Sequence, residues 1–514
     1  MRLSDMKTPN TVALVKEGIE LDRHYSFLYC SPSRSSLMTG RLPFHAQQIN
    51  YPNWDKSQGA PRNMTFIPRM LKQAGYRSVH IGKWHLGMSS VGHIPKGRGF
   101  DRSLAYFEGA EDHFTQRSCV DGECILPIPE GTPLPPNLPF NVTESPYDLW
   151  MDDHPADGRT GPDFKAGSRY NGYLFTDFAV QAIQEHDHTN EDSPLFMYLA
   201  AANSHTPLEA PQEFLDLYPD TWYQDRRQYA AMCSFWDAIV GNITSTIKAK
   251  KGMWENTLFV FSGDNGGPVY FSANTTLWNH GAGANNFPLK GGKVSNWEGG
   301  VRVASFVSGG FVPEAMRGKK LDGYVHLADW LATFAHIAGV DPTDHVAAAA
   351  GLPAIDSLNM WPYLSGETSD SPRDEIPLAI DFSLAGRVNR TIPPLLRPYI
   401  QNISALISGE YKLLYGLQVQ SFWQAPVFPN ASSAPYGVLG KHTHICAPAC
   451  LYNVRDDPTE QHNLVLEHPL VVERLLKRVK ELQKTHYFRK SDIDFPGCNE
   501  ALVRNGNFFG PWLP

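Results

Sequence analysis

The sequence predicts an α/β fold, a mostly parallel sheet sandwiched between helices, with a smaller α+β domain at its C-terminal end. Helical and strand patterns alternate from residue 65 onward, and the strands are near-continuous apolar runs, as in sheets covered on both faces. Three such runs end in polar clusters, "GKWH", "NSH" and "GDNGG". That places chemistry at the carboxyl edge of the sheet, where open α/β sheets hold their ligands.

The elements follow in chain order. "TFIPRMLKQAG" reads as a helix with Thr65 as N-cap, Pro68 in the first turn and Gly75 as the stop, and "YRSVHIGKWH" as the strand after it. The stretch from Cys119 to Asp163, rich in proline as in "ILPIPEGTPLPPNLP", reads as a surface excursion that rims the site. "YLFTDFAVQAIQEH" is amphipathic, with Phe175, Phe178, Ala179, Ala182 and Ile183 on one side, and "SPLFMYLAAANSH" is a strand of the buried type. A longer helix from about Arg226 to Lys250 precedes the strand in "NTLFVFSGDNGG". After residue 375 the texture changes to short strands, "YIQNISALISGEYKLLYG", and a terminal helix, "HPLVVERLLKRVKELQKTH". The expected division is a catalytic domain over 1–375 and an α+β domain over 376–514, as a chain of 514 residues exceeds one ordinary core.

Composition excludes more than it assigns. A net charge of −8 gives no footprint for nucleic acid, and no apolar run is long enough to span a bilayer. Of seven cysteines, the pairs Cys119/Cys124 and Cys446/Cys450 are close enough to clip local loops, with connectivity left open. Asn-x-Ser/Thr sequons at Asn63, Asn141, Asn242, Asn274, Asn389, Asn402 and Asn430 point to glycosylation in the secretory pathway, and so to a lysosomal or extracellular protein. The N-terminal "MRLSDMKTPNTVAL" carries no apolar h-region of a signal peptide.

One cysteine stands apart. In "YCSPSRSSLMTGR" Cys30 is flanked by Ser31, Pro32, Ser33 and Arg34, an ordered turn beside a cation rather than an apolar or disulfide neighbourhood. With its Cys-x-Pro-x-Arg pattern and following Thr-Gly-Arg, the stretch resembles the type I sulfatase signature. "GKWHLG", "SHTPLEAP", "SGDNGG", "GGKVSNWEGGVR" and "LYNVRDDPTEQHNL" look like sulfatase blocks in the expected order, and the ending "NFFGPWLP" resembles the arylsulfatase B, I and J subgroup.

The resemblance implies an alkaline-phosphatase-like fold and a formylglycine made from Cys30 by a formylglycine-generating enzyme. An aldehyde hydrate offers two hydroxyls on one carbon, one to attack sulfur and one to expel sulfate afterwards. It further implies that Arg34 orients the modified residue, that Lys83 and Lys293 bind sulfate oxygens, and that His85 assists the formylglycine hydroxyl. His205 would face the leaving oxygen as proton donor. Lys290 rivals Lys293, and the resemblance favours Lys293, whose distance to the "WEGG" block matches the family. Asp264, Asn265 and the Cys30-derived oxygen would hold calcium. The implied reaction is hydrolysis of a sulfated sugar, such as a 4-sulfated N-acetylgalactosamine, or of an aryl sulfate.

Two rival readings stand beside this one. The same nucleophile and cations could serve a phosphonate or phosphodiester hydrolase, or the chain could be a catalytically silent glycan-binding homologue. The second is motivated by an Asp-Asp pair that relatives carry on a first strand upstream of the cysteine; Asp5 and Asp22 have neither that strand nor that pairing. The lack of both a leader and that strand leads to the expectation that the gene product begins further upstream. It also leads to the expectation that the 514-residue chain leaves strand edges of its sheet uncovered.

Overall fold

The computed structural model describes residues 5–118, 145–160, 169–269, 283–384, 395, 399–426 and 442–514. Its strands are β1 (Ile19–Tyr25), β2 (Arg77–Lys83), β3 (Arg102–Tyr106), β4 (Trp150–Met151), β5 (His154–Pro155), β6 (Leu195–Ala200), β7 (Phe259–Ser262), β8 (Arg302–Val303), β9 (Ser305–Ser308), β10 (Lys319–His326), β11 (Glu375–Phe382), β12 (Ile403–Ser408), β13 (Tyr411–Val419) and β14 (Thr443–Asn453).

The first ten form two sheets, ordered β10-β1-β9-β7, with β8 also on β1, and β5-β4-β3-β2-β6. Parallel pairing joins β1 to β10 and β2 to both β3 and β6. The remaining pairs are antiparallel, so the sheets are mixed around a parallel centre. Among the described residues no strand covers the outer edge of β6 or of β7. Both edges line one cavity of about 3070 Å³, which runs up to the strand ends.

Helices close the faces as the apolar pattern dictates. Phe175, Phe178, Ala179, Ala182 and Ile183 of the helix Asn171–Glu185 pack on Val79, Ile81 and Leu104 of β2 and β3. The long helix, Gln224–Lys248, adds Phe235, Ile239, Ile243 and Ile247 to the same cluster. Thr65 is not a helix cap: the Asp344 carboxylate accepts from its amide at 2.8 Å and its hydroxyl at 2.7 Å, and the helix begins at Ile67. Gly75, at φ 78°, ends the turn that follows, a conformation glycine adopts without a Cβ penalty.

Beyond Glu375 the chain makes an antiparallel meander, β11-β12-β13-β14. The helix Pro469–Gln483 covers one face, with Val472, Leu475, Val479 and Leu482 packed against Leu406, Leu413 and Leu451. The other face packs on the segment entering Cys30: Phe27, Leu28 and Tyr29 share a core with Ile376, Phe382 and Ile403. Cys446 and Cys450 are disulfide-bonded within β14, while Cys119 and Cys124 lie outside the described residues. Asn63, Asn242 and Asn402 are exposed; Asn141, Asn274, Asn389 and Asn430 lie outside the described residues. No described helix is long and apolar enough to cross a membrane.

Several histidines are buried as neutral bases. His24 accepts from the Trp330 indole at 3.0 Å, and His80 is enclosed by Trp84, Phe100 and Tyr198. Burial pushes each down to about 3 and holds His326 well below the ordinary imidazole range. The unfolded chain therefore binds more protons below pH 6.5, so this stability is complete above that pH and drains as pH falls toward 3. Each such histidine removes up to about 1.4 kcal/mol per pH unit over this range, against an opposite contribution from Asp148, Glu209 and Glu460, whose carboxyls burial raises to about 7. In NMR spectra of the folded protein the His24 and His80 rings should not titrate between pH 7 and pH 5, and a ring that does would contradict the buried neutral assignment.

Candidate active site

Cys30 is the first residue of the helix Cys30–Thr39, and the serines around it explain why the turn holds. The Ser33 hydroxyl accepts from the Phe27 amide at 3.0 Å and donates to the Tyr29 carbonyl at 3.1 Å. The Ser31 amide donates to Asn50 Oδ1 at 3.2 Å. Four residues on, one helical turn, Arg34 lies on the same face as Cys30. Its Nε and Nη2 donate to Asp264 Oδ2 at 3.0 and 2.8 Å, and its Nη1 donates to the Lys83 carbonyl at 2.8 Å and to the Tyr198 hydroxyl at 3.3 Å.

The other members sit at strand ends. Lys83 closes β2, and His85 follows at φ 52° with its ring against Gly109, where a Cβ would lie 2.9 Å from the imidazole. His205 follows β6: its Nδ1–H donates to the Thr206 carbonyl at 2.8 Å, and its Nε2 accepts from the Lys293 ammonium at 3.1 Å. Asp264 and Asn265 follow β7, and Asn265 Oδ1 accepts from the Cys30 thiol at 3.4 Å. Lys293 precedes Val294, whose φ of 74° is an outlier for a β-branched residue; its amide donates to the Leu28 carbonyl at 2.7 Å.

Thus Cys30, Arg34, Lys83, His85, His205, Asp264, Asn265 and Lys293 all line the cavity between β6 and β7. Lys290 points the other way, its ammonium 3.6 Å from the ring centre of Trp297. Tyr198 and Asn50 hold this constellation and were not legible in sequence: a tyrosine within an apolar strand and an asparagine in a loop carry no pattern of their own.

The field of the site favours anions. Burial raises the Cys30 thiol, but the ammoniums of Lys293 and Lys83 and hydrogen bonds with His205 and His85 hold it well below the usual thiol range. Lys83 is lowered by burial, opposed by Cys30. His205 is lowered to about 4, by burial and then by Lys293 and Lys83. His85 is lowered to about 4 by burial, partly offset by its bond with Cys30.

The expected calcium cage is only partly present. Calcium takes about six to eight oxygens, whereas Asp264 and Asn265 are the two hard donors brought together here, and Arg34 already occupies Asp264 Oδ2. Asp5 is spent on Arg226, and Asp22 on Arg302 and Lys320. The described residues do not by themselves fit a calcium ion, and no chemical step is assigned to one.

Comparison with known proteins follows the same lines. Residues 2–340 match the model of the Sulfatase family. Arylsulfatase J of Mus musculus is 29% identical over 515 residues, covering 99% of this chain and 77% of that protein. N-acetylgalactosamine-6-sulfatase of Mus musculus is 28% identical, over 71% of this chain and 63% of its own length. Among solved structures, Ps i-CgsB in complex with k-i-k-neocarrahexaose superposes with a TM-score of 0.69 at 24% identity, over 97% of this chain and 92% of that one. With the family match spanning well over half of its 514 residues, the chain belongs to the sulfatase family.

Proposed function

We propose that the chain hydrolyses the sulfate ester of a sulfated carbohydrate, of the N-acetylgalactosamine sulfate class, with a nucleophile made by oxidising Cys30 to formylglycine. The observation that carries this reading is the convergence of Cys30, three cations and two neutral imidazoles on one cavity. A tetrahedral monoanion that gains charge on its leaving oxygen needs such cations around it. A hydrated aldehyde at Cys30 would supply the hydroxyl that attacks sulfur and the second hydroxyl whose deprotonation releases sulfate.

Placement supports the remaining roles. Lys83 and Lys293 receive the sulfate oxygens, Arg34 fixes the Cys30 turn from behind, and His85 is placed to take the hydroxyl proton. Once Lys293 turns to the anion, His205 Nε2 takes up a proton from solvent and gives it to the departing alcohol, a role its contact with Lys293 at the cavity supports. Cys30 is only 3% exposed, so a formylglycine-generating enzyme would act before the fold closes. Exposed sequons and the Cys446–Cys450 disulfide support the secretory pathway as the compartment where that happens.

In protein from a secretory host, mass spectrometry of the peptide carrying Cys30 should find the aldehyde. A wholly unmodified, alkylatable cysteine in an active preparation would overturn the mechanism, and faster turnover of a phosphonate monoester than of nitrophenyl sulfate would reassign the reaction. For His205→Ala, kcat should fall about a hundredfold or more on a sugar sulfate and far less on nitrophenyl sulfate, whose leaving group barely needs a proton. Equal losses on both substrates would remove His205 from that role.

A further inference from the structure

The loop that carries Lys293 is held by the C-terminal domain. On its entering side, the Gly291 amide donates to the Phe422 carbonyl at 2.9 Å. On its leaving side, Asn296 Nδ2 donates to Gln418 Oε1 at 3.1 Å, the Trp297 indole to the Val419 carbonyl at 3.0 Å, and the Glu298 amide to Glu460 Oε2 at 2.7 Å. The Gly299 amide donates to the Lys290 carbonyl at 2.8 Å, closing the neck of the loop. Lys293 rides on the tip thus defined, its own amide on the Gly267 carbonyl at 3.0 Å.

At that neck lies an ion network with no solvent around it. Lys412 Nζ, on β13, donates to Glu298 Oε1 and lies beside Glu460 Oε1, each at 2.9 Å, and all three side chains are fully buried. The Tyr25 hydroxyl donates to Glu298 Oε2 at 2.9 Å, and the Lys290 ammonium is caged by Trp297, Trp423 and Tyr452 at 3.6, 4.5 and 5.7 Å. Such a network is a poor source of net stability, because desolvation consumes most of its Coulomb energy; what it does supply is one allowed geometry.

We propose that Lys412 and Glu460, acting through Glu298, are positioning residues that fix the Lys293 ammonium at the sulfate site, so that the C-terminal sheet is part of the catalytic apparatus. This rests on the assignment of Lys293 to sulfate binding. Lys290 is the outer strut of the same clamp, which accounts for a lysine so close to Lys293 that does not face the cavity.

The test is a double-mutant cycle on the full chain. Lys412→Met, Glu460→Gln and Lys290→Met are each made alone and with Lys293→Ala, and kcat and KM are measured on nitrophenyl sulfate. In folded variants, each change should lower kcat about tenfold to a hundredfold in the parent and less than about threefold where Lys293 is already gone. Equal losses in both backgrounds, or a folded Lys412→Met with parental kcat, would overturn the proposal. Hydrogen exchange of the parent protein covers variants that do not fold. The Lys293 and Val294 amides should open in one cooperative unit with those of Lys412 and Val419, and independent opening would overturn it. A parent with no sulfate ester turnover would refute the proposed function, and the exchange result would then decide the clamp alone.

Discussion

The fork of Arg34 is the constraint on which the site depends. One buried guanidinium joins the Cys30 helix to the carbonyl that ends β2, to a tyrosine of β6 and to the carboxylate that follows β7. Since β6 and β7 end separate sheets, no described backbone ladder fixes one relative to the other, and this side chain spans them. An ammonium could not replace it: a lysine has neither the planar fork that holds Asp264 through two nitrogens nor the third nitrogen for Lys83 and Tyr198. Cys30, the two lysines and the carboxylate are thus aligned by a residue that itself stands behind the Cys30 turn.

Around this frame the charges are unbalanced in favour of an anion. Arg34, Lys83 and Lys293 gather around Asp264, and their field helps keep His205 and His85 neutral. A Thr206 carbonyl can only accept, so Nδ1 carries the proton of His205 and Nε2 is the basic atom, held by Lys293. On the proposed reading, an arriving sulfate monoanion reverses that field and competes for the same ammonium. On the proposed reading, His205 gains proton affinity when the group that needs its proton is in place. Desolvation, which depresses both histidines, and substrate charge, which restores one of them, together tie acid catalysis to occupancy.

What could be read from the sequence was what the local pattern states. Apolar runs ending in "GKWH", "NSH" and "GDNGG" marked the strands, because a strand's burial and its polar end are adjacent in the chain, but the expected common edge is a cavity between two sheets, with β2 and β6 in one and β7 in the other. The choice of Lys293 over Lys290 rested on resemblance to the family's block; the Lys293 ammonium meets His205, and that of Lys290 lies over Trp297. Thr65 misled because a threonine before an apolar run looks like a cap, while Asp344, far away in sequence, claims its hydroxyl. Strands as short as β8 and β9 have no period to detect, which is why the antiparallel half of the sheet was not foreseen. Lys412 was invisible for a related reason: a lysine in a strand reads as a solvated face, and only its partners from two distant segments make it a buried one.

The same long-range dependence changes what the two domains mean. Packing does not stop at residue 375: the residues that lead into Cys30 are core for β11 and β12, and the loop bearing Lys293 leans on β13. Val294 shows why that support is required. A β-branched residue at positive φ is costly to hold, and it is held by the Leu28 carbonyl on one side, two residues from Cys30, and by a loop whose neck is locked to Lys412 and Glu460 on the other. Relaxing that residue would withdraw the Lys293 ammonium and shift the Cys30 turn together, because the strained peptide links them directly. On the proposed reading, the C-terminal sheet supplies none of the described residues gathered around Cys30 and yet sets the distance between Cys30 and the Lys293 ammonium.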